Sequence, residues 1–343
     1  MAPLDPPAAK KLTKKDFTSD QEVRWCPGCG DYAILAAIQR TLPELGVTRE
    51  NSVFISGIGC SSRFPYYMDT YGFHTIHGRA PAFVTGVKLV NPELDVWMIT
   101  GDGDGLSIGG NHLLHVLRRN VNVQIMMFNN RIYGLTKGQY SPTSLVGLKS
   151  PSSPMGSIDA PVNPLLFALG ANARFVSRGI DTMIKPLTGL FKQAHAHQGA
   201  SFVEILQNCP VFNDGTWTQV TAKDVASDMQ LWVEHGQPLL FGKDKKKGLI
   251  VREGAAAVDV VTVGENGVTE ADVTVFDETN RTMAFLLAQL MPSEYPMVFG
   301  VLYRDPSGSY ETSVAAQNTL AIEQKGEGDI DALLRSGHTW TVE

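Results

Sequence analysis

The chain is poor in cysteine and in positive charge, and it has no long apolar run. Its 343 residues include only four cysteines, and its formal net charge is −6. A nucleic-acid binder usually carries a basic excess, and no apolar stretch has the length of a transmembrane helix. Residues 1–17 also lack the apolar segment of a secretory signal. We therefore expect a cytoplasmic protein that binds neither nucleic acid nor membrane, with cysteines that are metal ligands or buried thiols rather than disulfides.

Changes in residue composition divide the chain into three parts. Residues 1–20 are rich in lysine and proline and predict an N-terminal arm, residues 21–242 alternate apolar strands with helices, and residues 243–343 predict a C-terminal extension. Two lysine runs are either solvated or dock an acidic electron carrier; they are Lys10, Lys11, Lys14 and Lys15, and Lys243 with Lys245, Lys246 and Lys247.

A strand, a helix and a second strand follow one another in the middle of the chain. The apolar run 94–100 leads into Gly101-Asp102-Gly103-Asp104-Gly105, and a helix is predicted over 110–119. The apolar run 121–128 then ends at Asn129-Asn130. An almost wholly apolar strand is typical of a parallel sheet covered on both faces. The sequence thus predicts an α/β fold, with a mostly parallel sheet, helices on both faces and ligands at the carboxyl ends of the strands.

Oxygen ligands for a divalent cation follow these two strands. Asp102 offers a carboxylate oxygen, Asn130 an amide oxygen and Ile132 a backbone carbonyl, which together suit Mg²⁺. Glycines around Asp102 allow the backbone to approach phosphates at the start of a helix. The spacing of GDG and NN resembles the thiamine diphosphate motif. From this motif alone, another Mg²⁺–phosphate ligand or a chance match stays open.

The four cysteines form a second constellation. Cys26 and Cys29 flank Pro27 and Gly28 in a tight turn, whereas Cys60 and Cys209 each follow a predicted strand. Four thiolates can hold a [4Fe–4S] cluster or a zinc ion, and a redox CxxC with two buried thiols is a third possibility. The spacing alone does not choose among them.

Taken together, the two constellations resemble one family, the thiamine diphosphate-binding β subunits of 2-oxoacid:ferredoxin oxidoreductases. The resemblance covers roughly residues 20–220. It is carried by WCPGCGDYAIL (25–35), SGIGCSSRFPYYMDTYGFHTIHGRA (56–80), GDGDGLSIGGNHLLHVLRRN (101–120), NNRIYGLTKGQYSPTS (129–144) and ILQNCPVFN (205–213). GVLYRDPSGSYE (300–311) also resembles the end of these subunits.

The resemblance implies roles for matching residues. Four cysteines would ligate a [4Fe–4S] cluster: Cys26, Cys29, Cys60 and Cys209. Mg²⁺ would be held by Asp102, Asn130 and the carbonyl of Ile132. Further contacts to thiamine diphosphate would come from Ile58, Gly59, Cys60, Ser61, His77, Gly78, Gly101, Gly103, Asp104, Gly134, Leu135 and Thr136. The substrate would be bound by Arg63, Leu135 and Lys137, since a cation can pair with a carboxylate.

The resemblance also implies the reaction and the partners. The reaction is the coenzyme A-dependent oxidative decarboxylation of a 2-oxoacid, with electrons passed through the cluster to ferredoxin, and it is reversible. The cationic residues favour 2-oxoglutarate as substrate over pyruvate and other 2-oxoacids. An α subunit is expected to supply the group that activates the cofactor, in an (αβ)₂ assembly. Two alternatives are a thiamine-dependent decarboxylase subunit with a structural zinc, and an electron-transfer subunit without thiamine.

Overall fold

The predicted apolar runs form strands in the computed structural model, which describes residues 11–252 and 257–342. The run at 94–100 forms a strand shifted by one residue, and the run at 121–128 begins two residues later than expected. The described strands are β1 (Ser52–Ser56), β2 (Tyr71–His74), β3 (Asp95–Gly101), β4 (Val123–Asn129), β5 (Phe175–Ile180), β6 (Ala200–Leu206), β7 (Gln230–Val233), β8 (Leu240–Phe241), β9 (Lys247–Val251), β10 (Val258–Thr262) and β11 (Met297–Arg304).

Eight of the described strands make one sheet in the order β2-β1-β3-β4-β6-β5-β11-β7. The six strands from β2 to β5 run parallel to one another. β11 pairs antiparallel with β5 and parallel with β7, so these two strands run against the rest of the sheet. β8, β9 and β10 form a small antiparallel sheet beside it. The predicted fold class, a mostly parallel sheet in an α/β fold, is confirmed.

Helices occupy the connections between strands. The helix predicted over 110–119 is observed with those bounds. The described α-helices are α1 (Asp31–Leu45), α2 (Ala80–Val90), α3 (Asp102–Leu106), α4 (Gly110–Arg119), α5 (Pro164–Gly170), α6 (Ile184–Ala196), α7 (Thr218–Thr221), α8 (Ala226–Met229), α9 (Arg281–Ala288), α10 (Tyr310–Lys325) and α11 (Ile330–Leu334). Short 3-10 turns form at Lys14–Phe17, Ser61–Tyr67, Lys243–Lys245 and Glu270–Asp272. None of the helices in the described ranges is long and apolar enough to cross a bilayer.

The sheet separates two apolar cores. Side chains alternate across a strand, so Trp97 of β3 packs into the core under α1 and α6, and its neighbour Met98 packs into the other core, under α2, α4, α5 and α9. Ile38 of α1 and Phe191 of α6 are fully buried in the first of these cores. With both faces covered, the ligand-binding position left to a parallel sheet is the edge formed by its carboxyl ends.

Both ends of the chain contribute to this body. Residues 1–10 of the expected N-terminal arm lie outside the described residues, but Phe17 is fully buried in the core beside α1, and Thr18 pairs with Met68. The expected C-terminal extension, 243–343, supplies β11 to the main sheet, whereas α10 and α11 are largely exposed. The domain boundaries themselves stay a prediction.

Candidate active site

Loops that follow four parallel strands converge at one edge of the sheet. β1 leads to Cys60, β3 to Asp102, β4 to Asn130 and β6 to Gln207 and Cys209. These residues line two adjacent cavities. We call them the Asp102 cavity and the cysteine cavity, after residues that line them. The convergence follows from the parallel arrangement, because parallel strands end on the same side of the sheet.

The Asp102 cavity has a volume of about 120 Å³. Every residue predicted to contact the cofactor lines it except Gly78. Those lining residues are Ile58, Gly59, Cys60, Ser61, His77, Gly101, Asp102, Gly103, Asp104, Asn130, Ile132, Gly134, Leu135 and Thr136. Four further residues line it that the sequence did not indicate: Asp31, Phe128, Tyr133 and Gln207.

Asp102 is buried and is held by two hydroxyls. Ser141 Oγ and Thr143 Oγ1 donate to its Oδ2 at 2.5 and 2.6 Å. Burial raises the pKa of this carboxyl to about 6, although the two hydroxyls act in the opposite direction. Both hydroxyls come from the long loop that follows β4. The carboxylate is therefore fixed in direction at the wall of the cavity.

Asn130 and Ile132 belong to one tight loop after β4. The backbone N–H of Ile132 donates to Asn130 Oδ1 at 3.1 Å, and Asn213 Nδ2 donates to the carbonyl of Asn130 at 3.0 Å. Arg131 between them has a φ of 57° and is buried, with its guanidinium stacked on the ring of Trp217. This stacking anchors the loop, and Asp102, Asn130 and Ile132 all line the same cavity, where residues with oxygen ligands could hold a divalent cation.

Asp104, two residues after Asp102, accepts hydrogen bonds through both of its carboxylate oxygens. Its Oδ1 accepts from the backbone N–H groups of Ile58 and Gly78 at 3.0 and 2.7 Å and lies 2.6 Å from His77 Nδ1. Thr100 Oγ1 donates to its Oδ2 at 2.7 Å. Asp104 thus ties the loops after β1 and β2 to β3. Gly78, which was predicted to approach the cofactor, instead contributes one of these N–H groups.

The cysteine cavity has a volume of about 260 Å³ and is lined by all four cysteines. They are free thiols, with Cys26 exposed and the other three partly buried. A Cβ atom on Gly134 would lie 3.5 Å from the sulfur of Cys60 and 3.6 Å from that of Cys209, so glycine leaves open the space between them. Within the described ranges, no group of three or more His, Cys, Asp or Glu side chains is placed to hold a metal ion.

Burial raises the pKa values of two partly buried thiols, Cys29 and Cys60, and of the neighbouring acid Asp31, which favours their neutral forms. Burial, followed by the charge of Asp31, raises the pKa of Cys60 to about 12, and the same two causes raise the pKa of Cys29 further. Burial also raises the pKa of Asp31 to about 7. Its Oδ1 has no hydrogen-bond partner among the described residues.

The two cavities share a wall. Six residues line both of them: Asp31, Cys60, Asn130, Gly134, Leu135 and Gln207. A ligand in one cavity is therefore separated from a ligand in the other by single side chains. Asp31 and Gln207 are the members of this wall to which the sequence assigned no role, since Asp31 resembles an ordinary acidic residue at a helix start and Gln207 carries no chemistry that singles it out within the segment 205–213.

The three predicted substrate-binding residues lie together at the cysteine cavity. Arg63, Leu135 and Lys137 all line it, and Leu135 is half-exposed and lines the Asp102 cavity as well. The guanidinium of Arg63 donates to the carbonyl of Arg24 at 3.2 Å, and Lys137 takes a φ of 75°. The sequence did not indicate Arg24, Trp25, Pro210 or Phe212, which complete the lining.

The fold and the site place this chain in the class of thiamine-dependent enzymes. Residues 57–205 match the family described as "Thiamine pyrophosphate enzyme, C-terminal TPP binding domain". This segment runs from the end of β1 into β6 and includes Asp102, Asn130 and the loops that border the Asp102 cavity. The match supports thiamine diphosphate as the cofactor of this domain.

Comparison with individual proteins narrows the assignment. The chain is 50% identical to the 2-oxoglutarate oxidoreductase subunit KorB of Mycobacterium tuberculosis over 96% of its length and 88% of that relative. It is 45% identical to the β subunit of 2-oxoacid:ferredoxin oxidoreductase 2 of Aeropyrum pernix, over 58% of this chain and 64% of that one. The chain therefore belongs to the family of 2-oxoacid:ferredoxin oxidoreductase β subunits.

A solved structure agrees with this placement. The 2-oxoglutarate:ferredoxin oxidoreductase of Magnetococcus marinus, determined with 2-oxoglutarate, coenzyme A and succinyl-CoA bound, matches with a TM-score of 0.74. It is 32% identical in sequence, and the match covers 95% of each chain. The resemblance stated from the sequence is confirmed, and the chain is a subunit of an oxidoreductase.

Proposed function

We propose that this chain is the β subunit of an enzyme that converts 2-oxoglutarate and coenzyme A to succinyl-CoA and CO₂, with the electrons passed through a [4Fe–4S] cluster to ferredoxin. The shared wall between the Asp102 cavity and the cysteine cavity is the observation that carries this proposal. An organic cofactor in one cavity and a redox cluster in the other would be separated only by the residues of this wall. The same arrangement serves the reverse reaction, since both directions use the same groups.

Thiamine diphosphate with Mg²⁺ fits the Asp102 cavity. Asp102, Asn130 and the carbonyl of Ile132 would hold the metal, and Gly101 and Gly103 leave the backbone open to a diphosphate. A Cβ atom on Gly103 would lie 2.2 Å from the ring of Tyr133, so the loop cannot carry a larger residue there. When bound, thiamine supplies the carbanion chemistry of decarboxylation, and the residues of this chain orient it.

A [4Fe–4S] cluster fits the cysteine cavity better than zinc does. Four cysteines line a cavity of about 260 Å³. Zinc needs its four ligands gathered tetrahedrally around one ion, whereas a four-iron cluster is larger and holds its cysteines further apart. Cys26, Cys29, Cys60 and Cys209 would be the ligands.

Cationic side chains favour a substrate with two carboxylates. Arg63 and Lys137 both border the cysteine cavity next to Leu135, which also borders the Asp102 cavity. A guanidinium can bind a carboxylate with two hydrogen bonds, and 2-oxoglutarate has one carboxylate more than pyruvate. We assign Arg63 and Lys137 to that second carboxylate, and Leu135 to the apolar stem of the substrate.

The partners that we propose follow from the needs of the cofactor and from the exposure of Cys26. A thiamine enzyme needs a second domain to enclose and activate the cofactor, and we assign that role to an α subunit in an (αβ)₂ assembly. Cys26 is exposed, so a cluster on the four cysteines would lie near the surface, where ferredoxin can approach. Free thiols and an iron–sulfur cluster suit the reducing cytoplasm.

Anaerobic co-purification with the α subunit tests the cofactors. We expect a brown complex with a broad absorption band near roughly 400 nm, as iron–sulfur clusters show, together with iron, sulfide and thiamine diphosphate. A colourless complex that contains zinc would reject the cluster. A complex with iron and sulfide but without thiamine would reject the enzymatic role.

Substrate choice is tested with Arg63→Met in the same complex. We expect the wild type to prefer 2-oxoglutarate to pyruvate, and the variant to lose roughly 10- to 100-fold in kcat/KM for 2-oxoglutarate alone, because a charged hydrogen bond contributes about 1.5–3 kcal/mol. Lys149→Met, at an exposed position, is the matched control. An equal loss on both substrates, or a wild-type preference for pyruvate, would contradict the assignment.

A further inference from the structure

The side-chain amide of Gln207 lies in the wall between the two cavities. Gln207 follows β6 by one residue, its side chain is almost completely buried, and it lines both the Asp102 cavity and the cysteine cavity. Its backbone N–H donates to the carbonyl of Asn129 at 3.0 Å, which fixes it to the end of β4. Gln207 therefore borders both cavities from a fixed backbone position.

One N–H of this amide is directed at a cysteine sulfur. Gln207 Nε2 lies 3.3 Å from Cys29 Sγ and 2.5 Å from the carbonyl oxygen of Asn208. Both neighbours are acceptors, and an amide nitrogen has two hydrogens to donate, so this orientation gives each hydrogen an acceptor. Oε1 of Gln207 is buried and has no hydrogen-bond partner among the described residues.

Gly30 makes room for this contact. A Cβ atom at position 30 would lie 2.9 Å from Cγ of Gln207 and 1.9 Å from an oxygen of Asp181. Any larger residue would force Asp181 or Gln207 to shift. The glycine that follows the CxxC turn therefore permits a hydrogen bond to one of the sulfurs that the turn carries.

We propose that Gln207 is a positioning residue that raises the reduction potential of the cluster through an N–H···S hydrogen bond to Cys29. This inference rests on the proposed function, in which Cys29 is a cluster ligand. When the cluster takes up one electron, negative charge on its sulfur ligands increases. A hydrogen bond to a charged acceptor is stronger than one to a neutral acceptor, so the donor favours the reduced state.

Redox titration of the αβ complex with dithionite tests this role, since it measures the cluster without turnover. Gln207→Met keeps the length of the side chain and removes the donor. We expect the ratio of reduced to oxidised cluster at a fixed potential to fall about tenfold, which is about 59 mV for a one-electron couple. Gln207→Glu should lower the potential further, because it adds negative charge. Gln198→Met, at an exposed position, should leave it unchanged.

A second measurement needs no variant. In wild-type complex labelled with ¹⁵N-glutamine, pulsed electron paramagnetic resonance of the reduced cluster should detect a glutamine nitrogen coupled to the electron spin. A missing coupling, or an unchanged potential in Gln207→Met with full iron content, would overturn the role of Gln207. Wild-type complex that lacks iron and sulfide would instead reject the proposed function itself.

Discussion

Two carboxylates that stand two residues apart in one loop have different surroundings. Asp102 faces the Asp102 cavity and is held by two hydroxyls, whereas Asp104 accepts hydrogen bonds from the loops after β1 and β2 and from β3. Both lie in the GDGDG segment, and the sequence alone assigned both to the cofactor. The contacts indicate that Asp104 acts mainly by holding the cavity wall together.

Replacement of Asp104 should therefore affect stability as well as binding. In Asp104→Ala, the buried N–H groups of Ile58 and Gly78 and the hydroxyl of Thr100 lose their acceptor. Because hydrogen bonds to charged groups contribute about 1.5–3 kcal/mol each, we expect the free energy of unfolding to fall by about 3 kcal/mol or more. Urea unfolding measures this change. Asp224→Ala, at an exposed position, is the control, and a similar stability for both variants would contradict the prediction.

Much of the site was predictable because its residues follow strands. Asp102, Asn130 and Cys209 come after apolar runs, and parallel strands bring such residues together whatever their distance in the chain. Asp31 and Gln207 were missed, since neither stands in a pattern with a chemical meaning of its own. Their positions depend on how α1 and β6 pack, which is a tertiary property.

At the level of elements, β5 shows how a buried charged residue can hide a strand from sequence analysis. β5 reads FVSRGI, and its arginine conceals the strand pattern, yet Arg178 is buried. Its Nε lies 2.7 Å from Glu204 of the neighbouring strand β6. The ion pair allows Arg178 to be buried in the sheet. The sequence of β5 can therefore be recognised as a strand only when its pairing with β6 is known.

The Arg178–Glu204 pair gives a test of this explanation. Arg178→Met leaves the carboxylate of Glu204 buried with one partner fewer, and removal of one member of a buried pair costs about 3–5 kcal/mol. We expect such a loss in the free energy of unfolding, with partial recovery in the double variant Arg178→Met/Glu204→Gln. The exposed pair of Arg252 and Asp259 is the matched control, and its removal should cost no more than about 1 kcal/mol. Equal losses for the two pairs would contradict the explanation.

At the level of the whole molecule, the chain carries exposed apolar side chains on its edge strand β2 and in the segments that follow it. Tyr71 and Phe73 of the edge strand β2, with Ile76, Phe83 and Val90 nearby, are between 40% and 88% exposed. Exposed apolar side chains in such number are typical of an interface with another protein. It suits contact with the partner subunit that a β subunit implies, which we propose is an α subunit.

Assembly can be measured by size-exclusion chromatography with light scattering. We expect the chain co-expressed with its α subunit to elute with the mass of an (αβ)₂ complex and to oxidise 2-oxoglutarate, because two domains must enclose the cofactor. The chain expressed alone should be inactive and prone to self-association through its apolar surface. A stable monomer with full activity would overturn this prediction.

The position of β11 has a consequence for how the protein is made. β5 ends at residue 180, but the strand that covers its outer edge begins at residue 297. During translation the backbone of β5 therefore stays unpaired on that side while the ribosome adds the small sheet and α9. Open strand edges promote aggregation, so a nascent or truncated chain that stops before Met297 should depend on chaperones in a way that the finished subunit does not.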